Sequence, residues 1–191
     1  MYNKLIDHIK QNVPGASIEK QIIEAYFTPK IFEKKEHFLM QGYTCTRAGF
    51  VIEGCYRNYM LSTEGKEVNT GFGFENWWLG DVSSFVNQTP TLINTQFLES
   101  TTLLTITAKN HFDLLERSQC FREYTNKLRS KATTASVLKL SELSESARTR
   151  YKVLLEKYPK IQQRISQKQI ASFLQITPEA LCRLRKFKIS E

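Results

Sequence analysis

The spacing of apolar positions changes along the chain, and each change predicts a different element. Residues 3–12 and 17–27 carry apolar side chains at helical intervals and are separated by Pro14-Gly15, which predicts two short amphipathic helices. Between about residues 28 and 107 short runs rich in Phe, Tyr, Ile and Thr alternate with turn signals. These signals are Gly42, Glu53-Gly54, Glu64-Gly65, Gly71, Gly73, Gly80-Asp81 and Thr89-Pro90. Such close spacing predicts an antiparallel sandwich or barrel rather than alternating β and α units. Residues 56–61 and 66–72 bracket Ser62-Thr63-Glu64-Gly65 as a hairpin. From about His111 to Leu143 there is neither Pro nor Gly, and Phe121, Tyr124, Leu128, Ala135 and Leu138 follow a three-four spacing interrupted by Lys131. That helix either packs on its own β domain or pairs with a second copy. Residues 146–158 form a further amphipathic helix ended by Pro159, and 161–165 read as a short strand.

The last part of the chain holds two helix-start signals eleven residues apart. Ser166 is an N-cap with Gln169 completing a capping box, flanked by Ile165 and Ile170 as a hydrophobic staple. Thr177 repeats the signal, with Pro178 at the first helical position and Ile176 paired to Leu181. Two helices joined so tightly must cross steeply, the helix-turn-helix arrangement. Ile170, Ala171 and Leu174 share one face of the first, Leu181 and Leu184 one face of the second. Glu179, Ala180, Arg183 and Lys186 then point outward along one stripe. A helix in the major groove needs short or hydrogen-bonding side chains for base edges and cations for phosphates. Arg183 suits a bidentate contact to guanine and Glu179 a cytosine amine, while Ser166, Lys168 and Thr177 suit phosphates. An ordinary helical hairpin with a solvated charged face is the alternative. Gln175 stands in the turn where many such units carry Gly, at a cost of roughly 1 kcal/mol.

Charge sharpens this reading. The 191 residues carry a formal charge of +8, but residues 1–110 hold 10 Lys/Arg against 11 Asp/Glu, whereas residues 111–191 hold 17 against 8. The positive excess belongs to the C-terminal part, so the expected partner is double-stranded DNA. Cys45, Cys55, Cys120 and Cys182 are scattered, and His8, His37 and His111 are isolated, so no metal-ligand set is expected. Reduced thiols fit a cytoplasmic protein. The first ten residues lack the apolar core of a signal peptide, and no stretch is long and apolar enough for a membrane span. With no nucleophile–base pair, paired carboxylates or phosphate-cradling Gly loop, an enzyme is not expected.

A β domain, a long central helix and a terminal helix-turn-helix resemble the Crp/Fnr family of bacterial transcription regulators over nearly the whole chain. The likeness is strongest to a branch common in Bacteroidetes. It is carried by Gly49-Phe50-Val51-Ile52-Glu53-Gly54, by Phe74-Glu75-Asn76-Trp77-Trp78-Leu79-Gly80-Asp81, and by residues 169–183, Gln-Ile-Ala-Ser-Phe-Leu-Gln-Ile-Thr-Pro-Glu-Ala-Leu-Cys-Arg. The resemblance implies an α+β fold: an N-terminal antiparallel β-barrel of the cyclic-nucleotide-binding type (a double-stranded β-helix), a long dimerisation helix and a C-terminal helix-turn-helix. The corresponding division is a sensor domain over 1–110, a dimerisation helix over 111–143 and a DNA-binding domain over 144–191. It also implies a homodimer, with RNA polymerase and a small-molecule effector as further partners.

Carried over residue by residue, the family's base readers fall on Glu179 and Arg183, while a third reader, an Arg, is replaced by Pro178, so a different operator is expected. A wing after the recognition helix is nearly absent, since three residues follow Lys188. The effector pocket falls on Trp78, Gly80, Asp81, Ser83, Thr91 and, on the central helix, Ser136, with Thr133 and Thr134 nearby. Where cyclic-nucleotide-binding members carry Gly-Glu and an Arg about ten residues on, this chain has Gly80-Asp81 and then Thr91 or Leu92. It has no cation between Asp81 and Lys109. A phosphate buried there lacks a cationic partner, so an effector other than cyclic AMP is expected and no cofactor can be named. Trp77 and Trp78 either line the pocket or belong to the β core. Iron–sulfur sensing needs a Cys cluster near the N-terminus, and no Cys precedes Cys45. A ligand-binding or protein-interaction module without specific DNA binding remains the alternative function.

Overall fold

The computed structural model describes residues 1–187. Two short helices, α1 (Tyr2–Asn12) and α2 (Lys20–Tyr26), lead into eight strands interrupted by one helical turn. The strands are β1 (Thr28–Phe32), β2 (His37–Leu39), β3 (Arg47–Glu53), β4 (Tyr56–Leu61), β5 (Glu67–Gly73), β6 (Trp78–Leu79), β7 (Asn94–Phe97) and β8 (Thr101–Thr107), with α3 (Val82–Asn87) between β6 and β7. Helices α4 (Ala108–Arg117), α5 (Gln119–Glu142), α6 (Ala147–Lys157), α7 (Ile161–Arg164), α8 (Gln167–Phe173) and α9 (Pro178–Phe187) complete the chain. The residues after Phe187, and with them the expectation about a wing, lie outside the described part.

The antiparallel sandwich or barrel expected from the strand spacing is observed as two four-stranded sheets, β1-β8-β3-β6 and β2-β7-β4-β5. Strand β8 pairs antiparallel with β1, from Thr28↔Thr105 to Phe32↔Thr101, and with β3 on its other side. Because β3 and β8 are covered on both faces, each places apolar side chains at adjacent positions, Phe50-Val51-Ile52 in β3 and Leu103-Leu104 in β8. Phe50, Ile52, Leu104 and Ile106 face a cluster completed by Leu5, Ile9, Ile23, Leu114, Phe121 and Tyr124 from the helices. Val51 and Leu103 point the other way, toward Tyr56, Leu79 and Phe97. Gly54, just past β3, has φ +107°, and a Cβ there would lie 2.7 Å from Thr101 Cα, so only glycine fits this turn. The β4–β5 hairpin closes as expected: Ser62 N donates to Lys66 O at 2.9 Å, and Gly65 adopts φ +75°.

The chain divides into two compact units. One comprises Met1–Asn58 and Phe72–Lys131, and the other Tyr59–Gly71 with the chain from Ala132 on. The base of the β4–β5 hairpin therefore belongs to the first unit and its tip to the second, and the boundary at Lys131 falls inside α5.

Two local expectations are corrected. The helix expected over 111–143 is two helices, because Ser118 is extended (φ −124°, ψ 106°) and its hydroxyl accepts from Phe121 N at 3.2 Å, starting a new helix. Of residues 161–165, expected as a strand, Ile161–Arg164 form a helical turn and only Ile165, its C-cap, is extended. Ile161 and Ile165 are both buried, and the turn is closed by Ile165 N donating to Ile161 O at 2.8 Å.

His111 on α4 is buried against the rings of Phe85 and Phe121, and its Nδ1 has no hydrogen-bond partner among the described residues. Burial, and next the charge of Arg129, lower its pKa from 6.5 to about 4. The native state therefore holds it neutral. Below 6.5 the unfolded chain binds a proton that the folded chain refuses until about 4, so stability falls as pH drops through that window. His111→Phe is expected to flatten the melting temperature against pH between about 6.5 and 4. An unchanged slope in thermal melts would assign the acid sensitivity to other groups.

Candidate nucleic-acid interface and effector site

Both helix-start signals near the C-terminus are realised. Ser166 Oγ accepts from Gln169 N while the Gln169 side chain reaches back to Ser166 N, a complete capping box at the start of α8. Thr177 Oγ1 accepts from Ala180 N at 3.2 Å and caps α9. Between them the chain reverses through a left-handed residue. Gln175 has φ +54°, Gln175 N donates to Ser172 O at 3.1 Å and Ile176 N to Ala171 O at 3.0 Å, the bonds of a Schellman ending. Gln175→Gly is expected to stabilise the chain by about 1 kcal/mol, since glycine accepts positive φ without the Cβ clash. Urea denaturation checks this, and an unchanged midpoint would mean that unfolded-state entropy cancels the gain.

Ile161, Ile165, Ile170, Ala171, Leu174 and Leu181 are buried, together with Tyr151 and Leu154 of α6. Glu179, Arg183 and Lys186 are exposed along α9, with Ala180 half-buried among them, and Ser166, Lys168 and Thr177 are exposed at the ends of the two helices. Glu179 has its carboxyl below the usual range, first through its own backbone N–H, then through the Thr177 hydroxyl and the Arg183 charge. It is an acceptor at neutral pH, as reading a base amine requires. One supporting residue has no signal in the sequence: the Arg150 guanidinium donates to Glu145 O at 2.6 Å and to Leu174 O at 2.9 Å, tying α6 to the turn. Arg164 and Arg185 line a cavity of about 350 Å³ beside Ser166 and Tyr151.

The residues expected to hold an effector are only partly gathered. Gly80 has φ +128°, and Asp81 caps α3, its Oδ1 accepting from Ser83 N at 2.9 Å and Ser84 N at 3.2 Å. Asp81 Oδ2 accepts from Thr91 Oγ1 at 2.6 Å, and Thr91 is buried. Both carboxylate oxygens are thus bonded within the segment from Asp81 to Thr91. Trp78 lies in the aromatic core instead, near Phe27, Phe50 and Tyr124. Its Nε1 donates to Tyr124 Oη at 2.7 Å, which leaves the tyrosine proton for His8 Nδ1, also at 2.7 Å. Ser136 is exposed on α5 in the other unit and donates back to Ala132 O at 2.9 Å, the ordinary use of a helical serine. A cavity of about 230 Å³ in the first unit is lined by others, among them Phe32, Phe38, Cys45, Arg47 and Thr105. Among the described residues no group of His, Cys, Asp or Glu could hold a metal ion.

No protein-family model matches this sequence, and no curated protein does. Solved structures do match over most of the chain. FixK2 from Bradyrhizobium japonicum has a TM-score of 0.72 at 15% identity, covering 86% of this chain and 85% of its own. CLP, the c-di-GMP-responsive global regulator of Xanthomonas campestris, has a TM-score of 0.69 at 16% identity, covering 90% and 92%. A protein from Eubacterium rectale described as a transcriptional regulator of the Crp/Fnr family has a TM-score of 0.68 at 20% identity, covering 90% and 82%. The chain therefore has the fold of the Crp/Fnr family, the family that its sequence motifs resemble.

Proposed function

We propose that this chain is a cytoplasmic, sequence-specific transcriptional regulator that binds double-stranded DNA as a homodimer, with α8 and α9 as its helix-turn-helix and RNA polymerase as a further partner. The observation that carries the reading is the exposed stripe of Glu179, Ala180, Arg183 and Lys186 on a capped helix whose opposite face is buried by Leu181. Glu179 and Arg183 read bases. Ser166, Lys168, Thr177 and Lys186 hold phosphates. Dimerisation follows from the need to address two half-sites, and α5 offers it apolar side chains exposed in its second half. Among the described residues no helix is long and apolar enough to cross a membrane.

The effector in this reading is a small molecule other than cyclic AMP. Asp81 would have to give up its bond to Thr91 to reach a ribose, and Thr91, standing where an Arg would hold the phosphate, offers no charge. Desolvating a phosphate without a cation is poorly compensated. Selection of bound duplexes from a random DNA pool with the full chain tests the reading. A palindromic consensus whose recovery is indifferent to added cyclic AMP is expected. Salt-sensitive capture without any consensus would reduce the C-terminal part to a non-specific basic surface.

A further inference from the structure

The second unit contains, besides the α8–α9 helix pair, the tip of the β4–β5 hairpin. Strand β5 is an edge strand, since it ends the order β2-β7-β4-β5. Edge strands present unpaired N–H and C=O groups that need covering. Here α8 and α5 cover them. Asn69 N donates to Ser172 Oγ at 3.1 Å, and the same hydroxyl donates to Glu67 O at 3.4 Å, so one serine bonds two groups of the strand. The Asn69 side chain is buried and its Nδ2 donates to Gln169 O at 3.0 Å, a backbone acceptor in the middle of α8. One residue further on, Thr70 O accepts from Lys139 Nζ of α5. That ammonium also lies 4.9 Å from the centre of the Phe173 ring, on the last turn of α8.

We propose that the hairpin tip is a bracket for the reader: Asn69, Ser172 and Lys139 are positioning residues that hold α8, and through it α9, at the orientation from which Glu179 and Arg183 meet DNA. The inference rests on the DNA-binding reading and adds the part that orients it. The bracket grips α8 through Gln169, Ser172 and Phe173 and leaves the stripe on α9 exposed, so it supports binding rather than blocking it. Three contacts converge on a helix of seven residues that is too short to be held by its own hydrogen bonds. Burial of Ile170, Ala171 and Leu174 keeps the helix seated when one contact is lost, but its angle shifts, and misplacement of a reading helix is felt as affinity.

The test uses the full chain and the duplex selected by the wild type, with amide hydrogen exchange measured on the DNA-free protein. Ser172→Ala and Asn69→Ala are each expected to weaken binding by about tenfold and to speed exchange at the Asn69 amide and along α8. Ser172→Thr, which keeps the hydroxyl, is expected to restore both. Faster exchange at Asn69 with affinity unchanged within about twofold would overturn the positioning role. Unchanged exchange in Ser172→Ala would overturn the bracket itself. A wild type that selects no duplex would instead overturn the DNA-binding reading and with it a role in orienting DNA contacts, leaving the exchange rates to judge whether the tip holds α8.

Discussion

Arg183→Ala is expected to weaken binding to the selected duplex by about 1–3 kcal/mol, or ~10–100-fold, and to relax selectivity at one position in each half-site. The size follows from geometry. A guanidinium fork meets two acceptors on one guanine, and its loss leaves both unpaired in a groove from which water has been displaced. Arg183 is exposed and has Glu179 four residues before it on the same face, so no packing is lost on truncation and the fold should survive. Lys186→Ala is the informative contrast, because a phosphate contact carries no sequence information. It should weaken all duplexes alike and reduce the salt slope by about 1. Repeating the duplex selection with each variant separates the two outcomes. An unchanged consensus with Arg183→Ala would move the reading elsewhere.

Leu138→Glu is expected to dissociate the proposed dimer. Val137, Leu138 and Leu140 are 61%, 57% and 69% exposed on α5, a concentration of apolar surface open to solvent. Burying one leucine contributes about 1.5–3 kcal/mol, and a two-fold interface counts it twice. A carboxylate there also meets its own copy. Sedimentation at micromolar concentration should show a monomer, with circular dichroism unchanged and DNA affinity lost because half-sites no longer bind together. Leu140 is two positions on and points to a different side of the helix. A dimer that survives Leu138→Glu but not Leu140→Glu would place the interface on that other stripe.

What the sequence disclosed was local, and what it withheld was not. The capping box at Ser166, the cap at Thr177 and the left-handed Gln175 depend on neighbours within four residues, and each is found as expected. The hairpin around Gly65 is equally short-ranged. Failures began where a weak signal met tertiary context. Ser118 breaks a helix without Pro or Gly, and Ile161 with Ile165 fits a strand or a turn of helix until burial decides. Trp78, expected in the effector pocket, sits in the aromatic core because the hydroxyl it bonds belongs to Tyr124, 46 residues away. The same holds for Thr91 closing on Asp81, and for Arg150, whose acceptors are backbone carbonyls that no side-chain pattern announces.

Because Asn69 meets Ser172 across 103 residues, the part of the molecule that would read DNA is not a continuous stretch of chain. Grafting residues from Ala132 onward to another sensor would leave behind the strand edge on which α8 rests. A chimera of this kind needs the tip from Tyr59 to Gly71 carried across as well, even though it lies in the middle of the β region. For chains built this way the natural unit of exchange between regulators is a pair of segments, and a boundary drawn by position along the sequence cuts through it.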